Sequence, residues 1–455
     1  MSNPQNNKLG FFSSSVVVFT TVVGAGVFTT SGYFAPDLGE GWAVLAAVLL
    51  AGLLAFASAL TTAELGAMIP SSGGEVVYLR RALGPLASYV FGIISGPCAW
   101  TVGSAFVAGT LGKHLSNLFP LVDEKWAALL SIVVILGIHL RGLKTGVLFN
   151  NFMTMIKVAL ILVFILAGLT ALGFGEETST TLSEALFSSS ESETGGSVAH
   201  WLEQIFFASI IAGFAFSGYN AIVLMAGDVD QPERNIPRAL IVGLGVITVL
   251  YLLVNTVFVW ATPAAQMLGP DGEKIPDLGT HTARVLFGDS AALMFDAVFV
   301  LVLIPTLSSC LQVSSRVIWR LARDRELPTK LGTTSESGTP RPALILQALL
   351  LMVAVSAVEK EYLLLLNGMC VLIMDFPTAI TIFLLRRKEP KTPRPFRVPW
   401  YPWVPLVRVL LAVYAGYSFV IKDPYHAPLA VGLILIVLAA RPIFQWAQPV
   451  EGTGK

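Results

Sequence analysis

Two glycine-bearing segments and one lysine carry most of the chemistry available to this chain of 455 residues. The first segment is Thr20-Thr21-Val22-Val23-Gly24-Ala25-Gly26-Val27-Phe28-Thr29, and the second is Gly213-Phe214-Ala215-Phe216-Ser217-Gly218-Tyr219-Asn220. Both lie inside strongly apolar runs. Residues of low helix propensity at bilayer depth leave backbone N–H and C=O groups free, which lipid cannot satisfy but a bound polar molecule can. The N–H groups of Gly24, Ala25, Gly26 and Val27 would open a new half-helix and attract a carboxylate. The carbonyls of Thr21, Val22 and Val23, together with those of Gly213, Phe214 and Ala215, would accept from an ammonium. A zwitterionic amino acid meets both demands. Close helix packing through small residues explains the same glycines, and is the reading taken for Gly92-x-x-x-Gly96. A dinucleotide fingerprint is excluded, since the strand and third glycine are missing.

Phe214 fits either a gate over a bound side chain or an ordinary core or lipid-facing aromatic. An amide inside an apolar run makes Asn220 either a helix-to-helix hydrogen bond or a substrate contact; contact is the favoured reading. Lys157 follows Asn150-Asn151-Phe152-Met153-Thr154-Met155-Ile156 and precedes an unbroken apolar stretch. An ammonium at that depth is costly and marks function by default, although a stem of its length can also snorkel to the interface. In the functional reading it docks on carbonyls of the first broken helix and on the hydroxyls of Ser308 or Ser309, in place of a sodium ion. Glu64 and Asp296 lie near run ends and read as interfacial. Asp375, just ahead of Pro377, has no assigned role.

The elements that hold these residues follow from composition. With 55% hydrophobic and 13% charged residues and a mean hydropathy of +0.73, the chain is a polytopic membrane protein. Its zero net charge offers no basic surface for nucleic acid. The three cysteines and five histidines have no metal-ligand spacing, so no metal and no cofactor are expected. The polar stretch 1–8 lacks a cleavage pattern, and the first span reads as a retained anchor. Apolar runs predict twelve transmembrane helices, over 11–35, 42–68, 84–112, 126–140, 147–172, 201–227, 238–262, 290–320, 342–358, 362–385, 402–421 and 426–443. Arg80, Arg81, Arg141, Lys144 and the basic clusters 316–330 and 386–397 fall on the side of the N-terminus. The positive-inside rule therefore puts both termini in the cytoplasm, in a multi-pass protein of the inner or plasma membrane.

No connection is large enough for a soluble enzymatic domain, and the Ser-, Thr- and Glu-rich segment 173–200 reads as a flexible solvated loop. The expected order is a cytoplasmic N-terminus over 1–10, five helices over 11–172, the outer loop, and five more helices over 201–385. A cytoplasmic loop over 386–401, two additional helices over 402–443 and a C-terminus over 444–455 follow. The broken spans are the first and the sixth, so they enter from opposite sides, as in inverted-repeat transporters.

Three long segments resemble the amino acid-polyamine-organocation (APC) superfamily. Thr62-Ala63-Glu64-Leu65-Gly66-Ala67-Met68-Ile69-Pro70-Ser71-Ser72-Gly73-Gly74-Glu75 is similar to its loop after the second helix. Asp228-Val229-Asp230-Gln231-Pro232-Glu233-Arg234-Asn235-Ile236-Pro237-Arg238-Ala239 is similar to its signature after the sixth, and Ser315 to Pro328 to the end of its eighth. The resemblance implies a LeuT-like, all-α fold with a five-plus-five inverted repeat and two extra helices. Within the superfamily, Phe214 to Asn220 is similar to the sixth-helix signature of L-type amino acid transporters, which implies that Phe214 is a gate and that Asn220 lines the pocket. Lys157 matches the lysine that stands in for sodium in sodium-independent members. The chain departs from the pattern at Gly227-Asp228 and at Ser217, and the outer loop 115–125 has no cysteine to tether a heavy-chain partner.

The resulting expectation is an alternating-access transporter rather than an enzyme, with amino-acid substrate and membrane lipid as partners and no sodium ion. Neither break contains an acidic residue, which favours small or medium neutral side chains, moved by exchange or proton linkage. A proton-coupled porter of cationic amino acids or polyamines is the alternative.

Overall fold

A computed structural model describes residues 8–174, 182–186, 198–269, 271–275, 277–422 and 425–446. Lipid offers no hydrogen-bond partner, so each apolar run satisfies its backbone internally as a helix. Among the described residues, ten helices are long and apolar enough to cross a membrane. They match ten of the expected spans, and the other two, over 126–140 and 342–358, are the 17-residue helices Glu124–Leu140 and Arg341–Ala357. The last helix, His426–Trp446, runs three residues past its expected end and into the segment read as the C-terminal tail, whose remainder lies outside the described residues. The tenth likewise continues to Lys388, shortening the loop that follows.

Both expected breaks are present. The first span is helical over Phe11–Val22, turns extended at Val23 (φ −76°, ψ 94°) and restarts over Gly26–Thr29. The sixth is helical over Val198–Gly213, tightens to a 3₁₀ turn over Phe214–Phe216, becomes extended at Ser217 and restarts at Ala221–Leu224. Gly218 takes φ +95°, a conformation that side chains rarely adopt, and a Cβ there would lie 2.8 Å from the Thr21 carbonyl oxygen. The two breaks are thus pressed together through small residues.

Packing around them is close. The seventh span, Pro232–Ala261, lies along the second, Gly41–Met68. The third, Pro85–Leu118, packs on the eighth, Asp289–Arg323, where a Cβ on Gly96 would meet Val317 Cγ1 at 2.6 Å and one on Gly92 would meet Leu321 Cδ2 at 2.7 Å. The packing reading of that glycine pair is correct. Beyond the first break, Phe28 sits in a ring cluster with Phe164, Phe258, Phe295 and Phe299, at centroid distances of 5.0 to 6.4 Å. These contacts fix the restarted half-helix.

Two expectations need correction. Glu64 and Asp296 are buried rather than interfacial, at 1% and 4% exposure, because partners from distant spans reach them. Arg386 makes a two-pronged pair with Glu64 at 2.8 and 2.6 Å, and the Val398 N–H donates to the same carboxylate at 2.7 Å. Asp296 is met by His114 Nδ1 at 2.5 Å and by Asn117. The loop 173–200 is not solvated throughout either. Leu182–Leu186 is a helical turn whose Ala185 is 1% exposed and packs on Gly41, since an alanine there buries apolar surface at little entropic cost. The rest of that loop lies outside the described residues.

Overpacking a tight helix contact costs about 1–3 kcal/mol. Gly96→Val should therefore lower the melting temperature of the detergent-purified protein. Gly109→Ala, in the same span with nothing within 4 Å of the added carbon, should leave it unchanged or raise it.

Candidate substrate site

A cavity of about 590 Å³ lies where the two breaks meet. Of the residues expected to bind, Thr21, Val22, Gly24, Ala25, Gly26, Phe214, Ala215 and Asn220 line it. Val23, Val27 and Gly213 do not. Val23 and Val27 are packed away at 0% and 1% exposure because a helix restarting at Gly26 turns its second residue toward the core. A Cβ on Gly26 would approach Ala215 Cα to 2.9 Å, so glycine is what lets the two strands of broken backbone touch.

Several carbonyls expected to hold an ammonium are already engaged. The Tyr251 hydroxyl bridges the Val22 oxygen at 3.1 Å and the Ala215 oxygen at 2.9 Å, tying one break to the other from the seventh span. Thr21 Oγ1 makes a second tie, donating to Gly218 O at 3.0 Å.

Lys157 is fully buried, which removes the snorkelling alternative. Its Nζ donates to Val23 O, to Thr20 O at 3.3 Å and to Thr306 Oγ1 at 2.7 Å. Docking on the first broken helix is as expected, but the hydroxyl partner is Thr306 and not Ser308 or Ser309. Ser308 stands about 200° further around the eighth helix at 3.6 residues per turn, and it bonds His139 Nε2 at 2.7 Å. Ser309 is one turn along from Thr306 and its buried hydroxyl meets no partner among the described residues. Thr306 in turn donates to Val23 O at 3.1 Å, and its methyl lies 3.2 Å from where a Cβ on Gly24 would be.

Phe214 is half-buried on the cavity wall, its ring facing Gly368 of the tenth span, Lys360–Lys388. Asn220 satisfies both of its readings: it lines the cavity and its Nδ2 donates to Glu75 Oε1 at 2.9 Å. The absence of acids from the breaks does not make the cavity acid-free, because Asp37, Glu75 and Asp375 also line it.

The amino acid permease family profile matches residues 9–438. The chain belongs to the amino acid permease family. This permease is 25% identical to the serine/threonine exchanger SteT of Bacillus subtilis (strain 168), over 97% of each chain. It is 23% identical to the b(0,+)-type amino acid transporter 1 of Mus musculus, over 98% of this chain and 90% of that one. It is also 23% identical to the large neutral amino acids transporter small subunit 2 of Mus musculus, over 86% and 72%. The protein is accordingly a multi-pass membrane transporter of amino acids with a LeuT-like fold, and not an enzyme.

Sequence reasoning missed four residues of this permease's site: Tyr251, Thr306, Glu75 and Arg408. For Arg408 a signal existed, since an arginine inside the apolar eleventh span, Trp403–Lys422, calls for the scrutiny given to Lys157. Tyr251 in the seventh span had none, because a lone tyrosine there looks like packing.

Tyr251→Phe keeps the ring and removes the bridge. It should cost about 1 kcal/mol of stability, the net value of one such hydrogen bond, and lower the amino-acid transport rate in proteoliposomes by loosening both breaks together. An unchanged transport rate would remove Tyr251 from the site.

Proposed function

We propose that this permease exchanges small or medium neutral L-amino acids, independently of sodium, by alternating access around the two broken spans. Substrate carboxylate is held by the N–H groups of Gly24, Ala25 and Gly26, which line the cavity where a restarting helix has unpaired donors. Substrate ammonium is taken by carbonyls of the two breaks, foremost that of Thr21, since the Val22, Val23, Phe214 and Ala215 oxygens already accept hydrogen bonds. The observation that carries this reading is one cavity that brings both breaks together, with the Lys157 ammonium fixed on the carbonyls behind them. In this reading the Lys157 amino group occupies the place a sodium ion would otherwise have to fill.

Phe214, half-buried on the cavity wall, closes the site over a bound side chain. The basic residues near the Leu9 end support a cytoplasmic location for both termini, in a cell membrane. The opposite mouth, bounded by Tyr33, Asp37 and Lys274, then opens outward. At the Leu9 end the molecule is closed by backbone pairing of Leu9 with Asp228 and Asp230 and by the Arg316–Asp228 ion pair at 2.7 Å. Inward opening requires those ties to part. The permease acts without a heavy-chain partner, the segment 115–125 offering no cysteine for one.

Purified protein in sodium-free proteoliposomes should take up labelled neutral amino acids faster when the vesicles are preloaded with unlabelled ones, and added sodium should not help. Lys157→Ala should lower that counterflow at least about tenfold, equivalent to some 1.4 kcal/mol, while the protein still purifies as a folded species. Normal counterflow in this variant would end the coupling role of Lys157.

A further inference from the structure

A second cavity lies at the Leu9 end of the eighth span, beside the Arg316–Asp228 ion pair. It measures about 10 Å³, the room that one water molecule needs, and none of its lining residues belongs to the substrate cavity. Gln312, Ser315 and Arg316 border it from one face of the eighth span, Ser315 and Arg316 being three and four positions after Gln312. Thr339 borders it from the segment just ahead of the helix Arg341–Ala357. All four are buried, at 7% exposure or less.

Two polar atoms in this lining are unmatched. Gln312 accepts from Asn150 Nδ2 at 3.1 Å through Oε1, but its Nε2 meets no acceptor among the described residues. The Thr339 hydroxyl has no partner among them either, although its backbone is bonded, the C=O accepting from the N–H groups of Ser335 and Arg341 at 2.9 Å. Ser315 gives its hydroxyl hydrogen to Gln312 O at 2.7 Å, which leaves the oxygen able to accept. A donor, an acceptor and a hydroxyl that serves as either therefore border a space of one water. Buried amides and hydroxyls are costly until bonded, and ordered water commonly meets those that the chain does not. Charge decides against an ion. Arg316 repels a cation, and its own charge is already met by Asp228 at 2.7 Å, with Nη2 also donating to Gly338 O at 3.2 Å, so no surplus remains for an anion.

We propose that this cavity binds one water molecule, which accepts from Gln312 Nε2, shares a hydrogen bond with the Thr339 hydroxyl and donates to Ser315 Oγ, and which eases inward opening by solvating Arg316 as Asp228 leaves. The binding site stands apart from the substrate reading, whereas its part in opening rests on that reading. Parting the ion pair strands a buried guanidinium, and a lone pair held beside it on the same helix offsets that cost. Gln312 and Thr339 are positioning residues, acting on Arg316 through the water.

Thr339→Val keeps the volume and deletes the hydroxyl. With water in the cavity the substitution removes one of its partners, and the full-length protein should melt roughly 1–2 °C lower. Over a dry cavity it would relieve an unmatched hydroxyl, and higher melting would overturn the site. A structure determined at a resolution that shows ordered solvent should place density within hydrogen-bond reach of Gln312 Nε2 and Thr339 Oγ1, and a bare cavity would overturn the site as well. Melting that rises when chloride replaces gluconate at constant ionic strength would assign the density to an anion and overturn the water. In proteoliposomes Thr339→Val should slow counterflow about fivefold, the worth of one net hydrogen bond in a barrier, and Thr339→Ser should restore it. Counterflow as fast as in the unmodified protein would remove the water from opening. No counterflow in the unmodified protein would overturn the exchange reading and the part in opening with it, while density and melting would still decide the site.

Discussion

The contact between the Lys157 ammonium and the carbonyls of Thr20 and Val23 is the constraint on which the rest of the site depends. A helix that stops inside a bilayer strands its last carbonyls, and lipid supplies no donors. A fully buried ammonium is unstable without oxygen ligands. Each of these costs is the remedy for the other, so the break and the lysine are stable only together. Thr306 completes the arrangement, accepting from Lys157 and donating to Val23, and in doing so binds the fifth, first and eighth spans at one point. Gly24 lets the Thr306 methyl approach, and Gly26 lets Ala215 of the sixth span approach from the other side.

The same rule governs the remaining buried charges, and its consequence is directional. Glu64 with Arg386 and Arg394, Glu326 with Arg441, and Asp228 with Arg316 all join elements far apart in sequence at the Leu9 end of the molecule. Such pairs add little net stability compared with apolar packing, but breaking one strands a buried charge. They hold a defined closed arrangement at that end. The opposite mouth has one exposed pair, Asp37 with Lys274, which water screens and which parts at little cost. The Leu9 end is thus held by buried pairs, whereas the pair at the cavity mouth is screened.

What was legible in the sequence divides along the same physical line. Spans, breaks and the buried lysine follow from local composition, because in a bilayer local apolarity decides helix formation and low propensity decides where it fails. Partners do not. The sequence marked Asp375 as deep but could not name Arg408, and it placed Glu64 at an interface because Arg386, 322 residues away, was invisible from there. Choosing Ser308 or Ser309 over Thr306 was an error of angular register on a helix that also contains Pro305. Which oxygen of a serine- and threonine-rich turn faces a lysine depends on rotation about the helix axis, which neighbours set.

Arg408 shows why a site should not be bounded by the repeat that builds its frame. The donors and acceptors that the two breaks offer are backbone atoms and carry no side-chain identity. Discrimination has to come from what lies further along the cavity. There the eleventh span, outside the ten-helix core, places a guanidinium against Asp375 and Thr62. A guanidinium buried that deeply cannot rearrange freely, so the carboxylate it holds is a fixed feature of the cavity wall rather than a flexible surface charge.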